Sequence, residues 1–225
     1  MKRLVVLFFG LLVLANPCFS QDYNRTDAQG RRQGKWCDFY PNGQKRYEGQ
    51  FKNGKCSGEF RYYDEQGNLK ATNKFDKSGE KANNQTFAPN GKVIAMGTYI
   101  NQKKEGEWRY FDHDTGKLVL VEDNKNGKVH GWSRVYNPDT ERVAEESEYV
   151  DGVREGVSRQ YFVSGYLMME CVFHNNQMNG PAKTYFPNTA LKEEGNYVNG
   201  QKSGQWKTYN EDGDMIVVEN FGGEE

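Results

Sequence analysis

The chain has 225 residues, a formal charge of −1 and a low apolar content, 36%. Its Lys and Arg residues are dispersed among acids with no basic block, which excludes nucleic acid as a partner, because phosphate binding needs clustered cations to displace counterions. The length suits one or two domains.

In chain order, the first predicted element is a targeting segment. Met1-Lys2-Arg3 is basic and an apolar run follows over residues 4–15, shorter than the roughly 20 residues of a membrane-spanning helix. Ser20 supplies a small residue at a cleavage site. This pattern predicts a removed secretory signal over 1–20, an exported chain (periplasmic, cell-surface or secreted) and no spanning segment after removal. Cys18 resembles a lipoprotein signal poorly, since Pro17 stands where that signal places Gly or Ala. Without Lys2 and Arg3 the balance is 28 basic to 31 acidic residues. Residues 21–33, QDYNRTDAQGRRQ, are polar and turn-rich, and read as a leader or an N-terminal cap.

From residue 34 to 225 the chain repeats. A small residue recurs at Gly34, Gly58, Ala82, Gly106, Gly131, Gly156, Gly180 and Gly204, in steps of 24 or 25. Five residues after each stands a ring: Phe39, Tyr63, Phe87, Phe111, Tyr136, Tyr161, Tyr185 and Tyr209. Trp36, Trp108 and Trp206 follow the small residue by two positions, and Trp132 is displaced by one. A second glycine lies nine or ten positions on, except in the copies starting at Gly131 and Gly180, where NPDTER and PNTALK suggest longer turns. A closing aromatic completes every copy but that of Gly106, which offers Asp123 and Asn124. Ala82 alone breaks the first-glycine rule.

Each copy carries turn signals about twelve residues apart, mostly Asn-Gly and Asp-Gly, which admit positive φ at low cost. Aromatic and β-branched residues between them favour strands, and no helix of ordinary length fits. The fold class is therefore all-β: about eight hairpins joined in one elongated, curved, twisted antiparallel meander of up to sixteen strands. One hairpin is marginal alone, so the eight rings at the fifth position are expected to form the shared core of the stack. Trp36 and Phe39 differ by an odd number. Either both faces carry rings, or a bulge returns them to one side.

Catalytic chemistry is not legible. His113 and His174 fall in predicted turns and His130 just before a strand, with no metal-ligand spacing among them. Asp112-His113-Asp114 reads as an acidic turn. Glu145-Glu146 and Glu193-Glu194 are adjacent strand residues and should face opposite ways. Cys37, Cys56 and Cys171 match no disulfide scaffold. Cys37 and Cys56 lie two strands apart at different heights, too far for a bridge. No catalytic residue, cofactor or metal is expected. The tryptophans Trp36, Trp108, Trp132 and Trp206 are packing residues or contact residues.

GKWCDFYPNGQKRYEGQFKNGK, GEWRYFDHDTGKL and GQWKTYNEDGD resemble the bacterial variant of the MORN repeat. The resemblance covers residues 34–221 and departs most at Ala82, where both Gly and Trp are missing. It implies a curved string of hairpins and scaffolding rather than catalysis. Chains with this variant also carry an antitoxin label, at odds with export. The leading expectation is an exported, non-enzymatic protein-interaction scaffold at the cell envelope. It would take its partner on the sheet surface, or by strand addition at a terminal edge. A glycan-binding sheet and, behind it, a carbohydrate-active enzyme are the alternatives.

Overall fold

A computed structural model describes residues 22–222, so the expected signal over 1–20 lies outside the described residues. There is no helix among them. Seventeen strands form one antiparallel sheet, each paired with its neighbour in sequence. In order they are β1 (Arg25–Thr26), β2 (Arg32–Phe39), β3 (Lys45–Lys52), β4 (Lys55–Tyr63), β5 (Leu69–Phe75), β6 (Lys81–Phe87), β7 (Val93–Ile100), β8 (Lys103–Phe111) and β9 (Leu118–Lys125). They continue as β10 (Lys128–Tyr136), β11 (Val143–Val150), β12 (Val153–Tyr161), β13 (Leu167–His174), β14 (Gln177–Tyr185), β15 (Leu191–Val198), β16 (Gln201–Tyr209) and β17 (Met215–Phe221).

The strand beyond the expected sixteen is β1, contributed by the polar segment before Gly34. Arg25 and Thr26 pair with Gln33 and Arg32. The Asn24 side chain accepts a hydrogen bond from the Cys37 N–H, and the Trp36 Nε1–H donates to the carbonyls of Arg25 and Gln33. These bonds satisfy groups that an open β2 edge would leave bare.

The recurring small residue sets the register. Across β3 and β4, Glu48 faces Arg61 and Gln50 faces Ser57, so Gly49 alone stands opposite residues 58–60. The surplus forms a bulge in which Gly58 takes φ +70°, where a side chain on an L-residue is disfavoured. The same offset recurs at Gly106 and Gly204, with φ +69° and +67°. At Gly131, Gly156 and Gly180 φ is larger, +106° to +127°. In the first two of these bulges an acid enters: Asp123 accepts from the Trp132 N–H, and Glu148 from the Val157 N–H.

Ala82 needs no positive φ because it has no bulge. β5 and β6 pair without interruption from Ala71–Thr86 to Phe75–Ala82. Where β3 and β4 are joined by Asn53-Gly54 alone, residues 76–81 lie between Phe75 and Ala82. The residues that other copies place in the bulge here lengthen the turn. The PNTALK turn, by contrast, is no longer than its counterparts. The Phe186 N–H bonds to the Ala190 carbonyl just as Tyr40 N–H bonds to Gln44. Thr189, at φ +73°, occupies the place glycine holds elsewhere.

Candidate functional site

Directly paired residues share a sheet face, so the registers define two rows running across the strands. On one face the row reads Trp36, Gly49, Phe60, Asn73, Asn84, Gly97, Trp108, then Glu122, Ser133, Ser147, Ser158, Cys171, Ala182, Gly195, Trp206 and Glu219. This is the core. Phe60, Trp108 and Trp206 are buried, as are the smaller Asn84, Ser147, Ser158, Cys171 and Ala182. Each buried ring of the three sits over a glycine: a Cβ added at Gly49, Gly97 or Gly195 would lie 2.4, 2.4 or 2.2 Å from Phe60, Trp108 or Trp206. The indoles of Trp108 and Trp206 also donate to the carbonyls of Thr98 and Asn196, each at 3.1 Å, and so satisfy carbonyls beside the bulge. Closing aromatics complete the packing, with Tyr99 at 4.8 Å from Trp108 and Tyr197 at 5.1 Å from Trp206, both edge-on. A cation caps several rings: Arg32 over Trp36 at 4.6 Å, Lys104 over Trp108 at 4.7 Å, Lys202 over Trp206 at 4.0 Å.

The opposite face carries the rings at the fifth position. The expectation that Phe39, Tyr63, Phe87, Phe111, Tyr136, Tyr161, Tyr185 and Tyr209 form the core is corrected: all eight are half-buried, and the buried column is the one at the second position. The reason is parity. Positions two and five differ by an odd number on one strand, so both faces are aromatic; the glycine bulge lies before them, and a second register shift against the next strand falls just before the fifth position, as between Tyr62 and Tyr63. Tyr63, Tyr161 and Tyr209 donate their hydroxyls to Glu48, Glu146 and Glu194 at 2.7, 2.8 and 2.9 Å.

Between these rings a ladder of alternating charge crosses the strands. Arg134 meets Glu146 at 3.3 Å, Glu146 meets Arg159 at 3.3 Å, and Arg159 meets Glu170 at 2.6 Å. Burial raises the Glu146 carboxyl, but hydrogen bonds from Tyr161, Arg159 and Arg134 outweigh it and leave the group below the usual carboxylate range. Tyr161 is pushed up to about 12, by burial first and then by its bond to Glu146. Glu145 and Glu193 turn to the other face, where they pair with Arg154 and Lys202.

Of the four tryptophans, Trp36, Trp108 and Trp206 share the core face. Trp132, one position early, falls on the charge face, with the Arg134 and Arg159 guanidinium groups 5.4 and 6.0 Å from its ring centroid. A single-residue shift in a period-two strand accounts for this. His113 does sit in a turn, but His130 lies within β10 and His174 ends β13. Asp112 accepts from the Thr115 N–H and hydroxyl, which makes it a turn residue. Among the described residues no group of three His, Cys, Asp or Glu could hold a metal ion. Cys56 and Cys171 are free thiols and Cys37 is disulfide-bonded.

Two surfaces stand out. The first is a groove of about 1050 Å³ on the core face over β5 and β6, where Asn73 and Asn84 replace the glycine and the ring of neighbouring copies. Sequence reasoning flagged the departure at Ala82 but not the groove, because a missing ring becomes a void only when its neighbours are known. The second is β17. It pairs with β16 alone among the described residues, and Met215, Ile216, Val217 and Val218 are 56, 58, 44 and 41% exposed.

The MORN repeat variant model matches this chain at residues 32–53 and 178–199. No curated protein matches it. Among solved structures, the crystal structure of TarM is 19% identical over 53% of this chain and 20% of that one, with a TM-score of 0.32. A mutant of S. aureus TarM in complex with Fondaparinux, alpha-GlcNAc-glycerol and UDP is 18% identical over 54% and 19%, with a TM-score of 0.24. The structure of TcdB2-TccC3-Cdc42 is 12% identical over 77% and 12%, with a TM-score of 0.22. The chain spans about a fifth or less of the length of each of these structures. The two matches lie at opposite ends of one hairpin array, so the chain carries repeats of the MORN variant at both places.

Proposed function

We propose that this MORN-repeat protein is an exported, non-catalytic scaffold at the cell envelope that takes a protein partner by strand addition at β17. The basic, apolar and small-residue pattern of the first twenty residues supports export. The observation that carries the binding mode is the β17 edge. Natural sheets guard an edge with charge, proline, a bulge or a very short strand. The N-terminal edge is guarded, since β1 has only two residues. β17 has seven residues, no proline and one acid, and its apolar side chains alternate between the two faces. An extended partner segment with apolar residues at alternate positions would satisfy its backbone and cover those side chains.

No helix among the described residues is long and apolar enough to cross a membrane, and this says nothing of β-barrels. The test is affinity capture from envelope extracts with the unaltered chain and with a proline at Ile216 or Val217, whichever N–H faces away from β16. The reading expects one partner held by the unaltered chain and lost, by tenfold or more, on the proline variant. Trp132→Ala, on the charge face, should retain it. Equal capture by the proline variant defeats strand addition.

A further inference from the structure

We propose that the groove over β5 and β6 is a binding site for a short neutral oligosaccharide. It is separate from the β17 edge and rests on different residues. Its origin is the degenerate copy. In neighbouring copies a buried ring at the second position sits over glycine, as Trp108 does over Gly97. In the copy starting at Ala82 those two places hold Asn84 and Asn73, paired with each other across β5 and β6. The row of rings is therefore interrupted between Phe60 and Trp108, over the breadth of the strands from β4 to β8. With strands spaced ~4.8 Å apart, the gap is wide enough for a pyranose ring to lie between its walls.

The lining suits a sugar chemically. Tyr62 and Tyr47, with centroids 6.3 Å apart, stand on one side, and Tyr99 stands on the other. Aromatic faces of this kind cover the apolar C–H faces of sugar rings. Between them the floor is amide. The Asn84 Nδ2 donates to Asn73 Oδ1 at 2.7 Å and its Oδ1 accepts from the Thr86 hydroxyl. These bonds hold Asn84 in one orientation, only 6% exposed. Burial raises the Tyr62 phenol, and the neighbouring Asn73 side chain lowers it in part. The Tyr62 hydroxyl lines the groove beside these amides and is a hydrogen-bonding group for a ligand.

At the rim Lys55 pairs with Glu80 at 3.1 Å and Arg46 with Asp38 at 3.5 Å, and Lys70 adds a further cation. The floor itself, Ala71, Asn73, Ala82, Asn84 and Thr86, is uncharged, and neutral hydroxyls and acetamides suit it. A peptide is disfavoured for another reason. Both floor strands are paired on each side, β5 with β4 and β6, β6 with β5 and β7. They leave no backbone ladder for a peptide to join.

The experiment is titration calorimetry of the full chain with chitotetraose, cellotetraose and maltotetraose, alongside a library of hexapeptides. At least one oligosaccharide should bind. Tyr62→Phe, which removes only the hydroxyl, should weaken it by about tenfold, the worth of one hydrogen bond. Asn84→Trp, which puts the repeat's own ring back into the gap, should abolish it, and Trp132→Ala should leave it unchanged. Circular dichroism and the unfolding midpoint of each variant separate loss of binding from loss of fold. Three results overturn the proposal: no oligosaccharide binds, binding survives in folded Asn84→Trp, or hexapeptides alone compete for the groove. None of them bears on the β17 edge, whose partner is read by capture.

Discussion

Gly97 shows how one absent methyl carries a structural unit. Its φ is ordinary, so conformational freedom does not explain it. The Trp108 ring does, because an added Cβ would stand 2.4 Å from the indole. Gly97→Ala should therefore destabilise the protein by about 1–3 kcal/mol, the usual cost of overpacking, read as a lower urea midpoint. Thr189 is the opposite case. A β-branched residue at φ +73° bears a left-handed penalty of roughly 1–2 kcal/mol, partly offset by the chain entropy that glycine adds to the unfolded state. Thr189→Gly should raise stability by about 1 kcal/mol in the same measurement. The Thr189 turn was not legible as a turn of normal length, because the missing glycine suggested extra residues rather than a strained one. The glycines opposite the buried rings were equally hidden. They lie in strands, not turns, and their reason is a neighbour eleven positions later.

At the scale of the element, the bulge decides which rings are core. Ring spacing in the sequence was enough to find the hairpins, the antiparallel order and the repeat length. It was not enough to choose between the two faces, since both carry rings and the choice depends on how each pairs with the next strand. Trp132 makes the point most clearly, because its one-residue displacement moves it among Arg134 and Arg159 and away from the other indoles. The charge ladder that it joins predicts a pH response. Glu146 is held below its unfolded value, so its contribution is fully present above the ordinary glutamate range, near pH 4, and is lost as pH falls through the lower folded value. Tyr161 is raised, so its contribution is present below the ordinary tyrosine range and is lost as pH climbs through about 12. Glu146→Gln should flatten the acid limb of the stability profile measured by urea unfolding from pH 2 to 7. An unchanged acid limb would mean that the ladder contributes nothing.

At the scale of the whole molecule, each strand of the array is hydrogen-bonded to its sequence neighbours, so stability is close to a sum of hairpins and of the rows that cross them. Such a protein has no single centre, and its ends differ. The N-terminal end is tied down by Asn24 and by the Trp36 indole, while β17 presents apolar residues on both faces. Residues 21–33 were legible as a leader or cap, but not the pairing of Arg25 and Thr26, because a two-residue strand leaves no periodic signal. The interrupted copy at Ala82 gives the array its groove, and its unbroken register explains why alanine is tolerated there. The account depends most on one continuous hydrogen-bonded sheet crossed by a row of rings over glycines. Amide hydrogen exchange, read by mass spectrometry on the full chain, tests this most directly. The account predicts slow exchange in alternating blocks from β3 to β16, breaks at each turn, and faster exchange in β1 and β17. Rapid exchange through β7, β8, β15 and β16, where Trp108 and Trp206 sit, would contradict it.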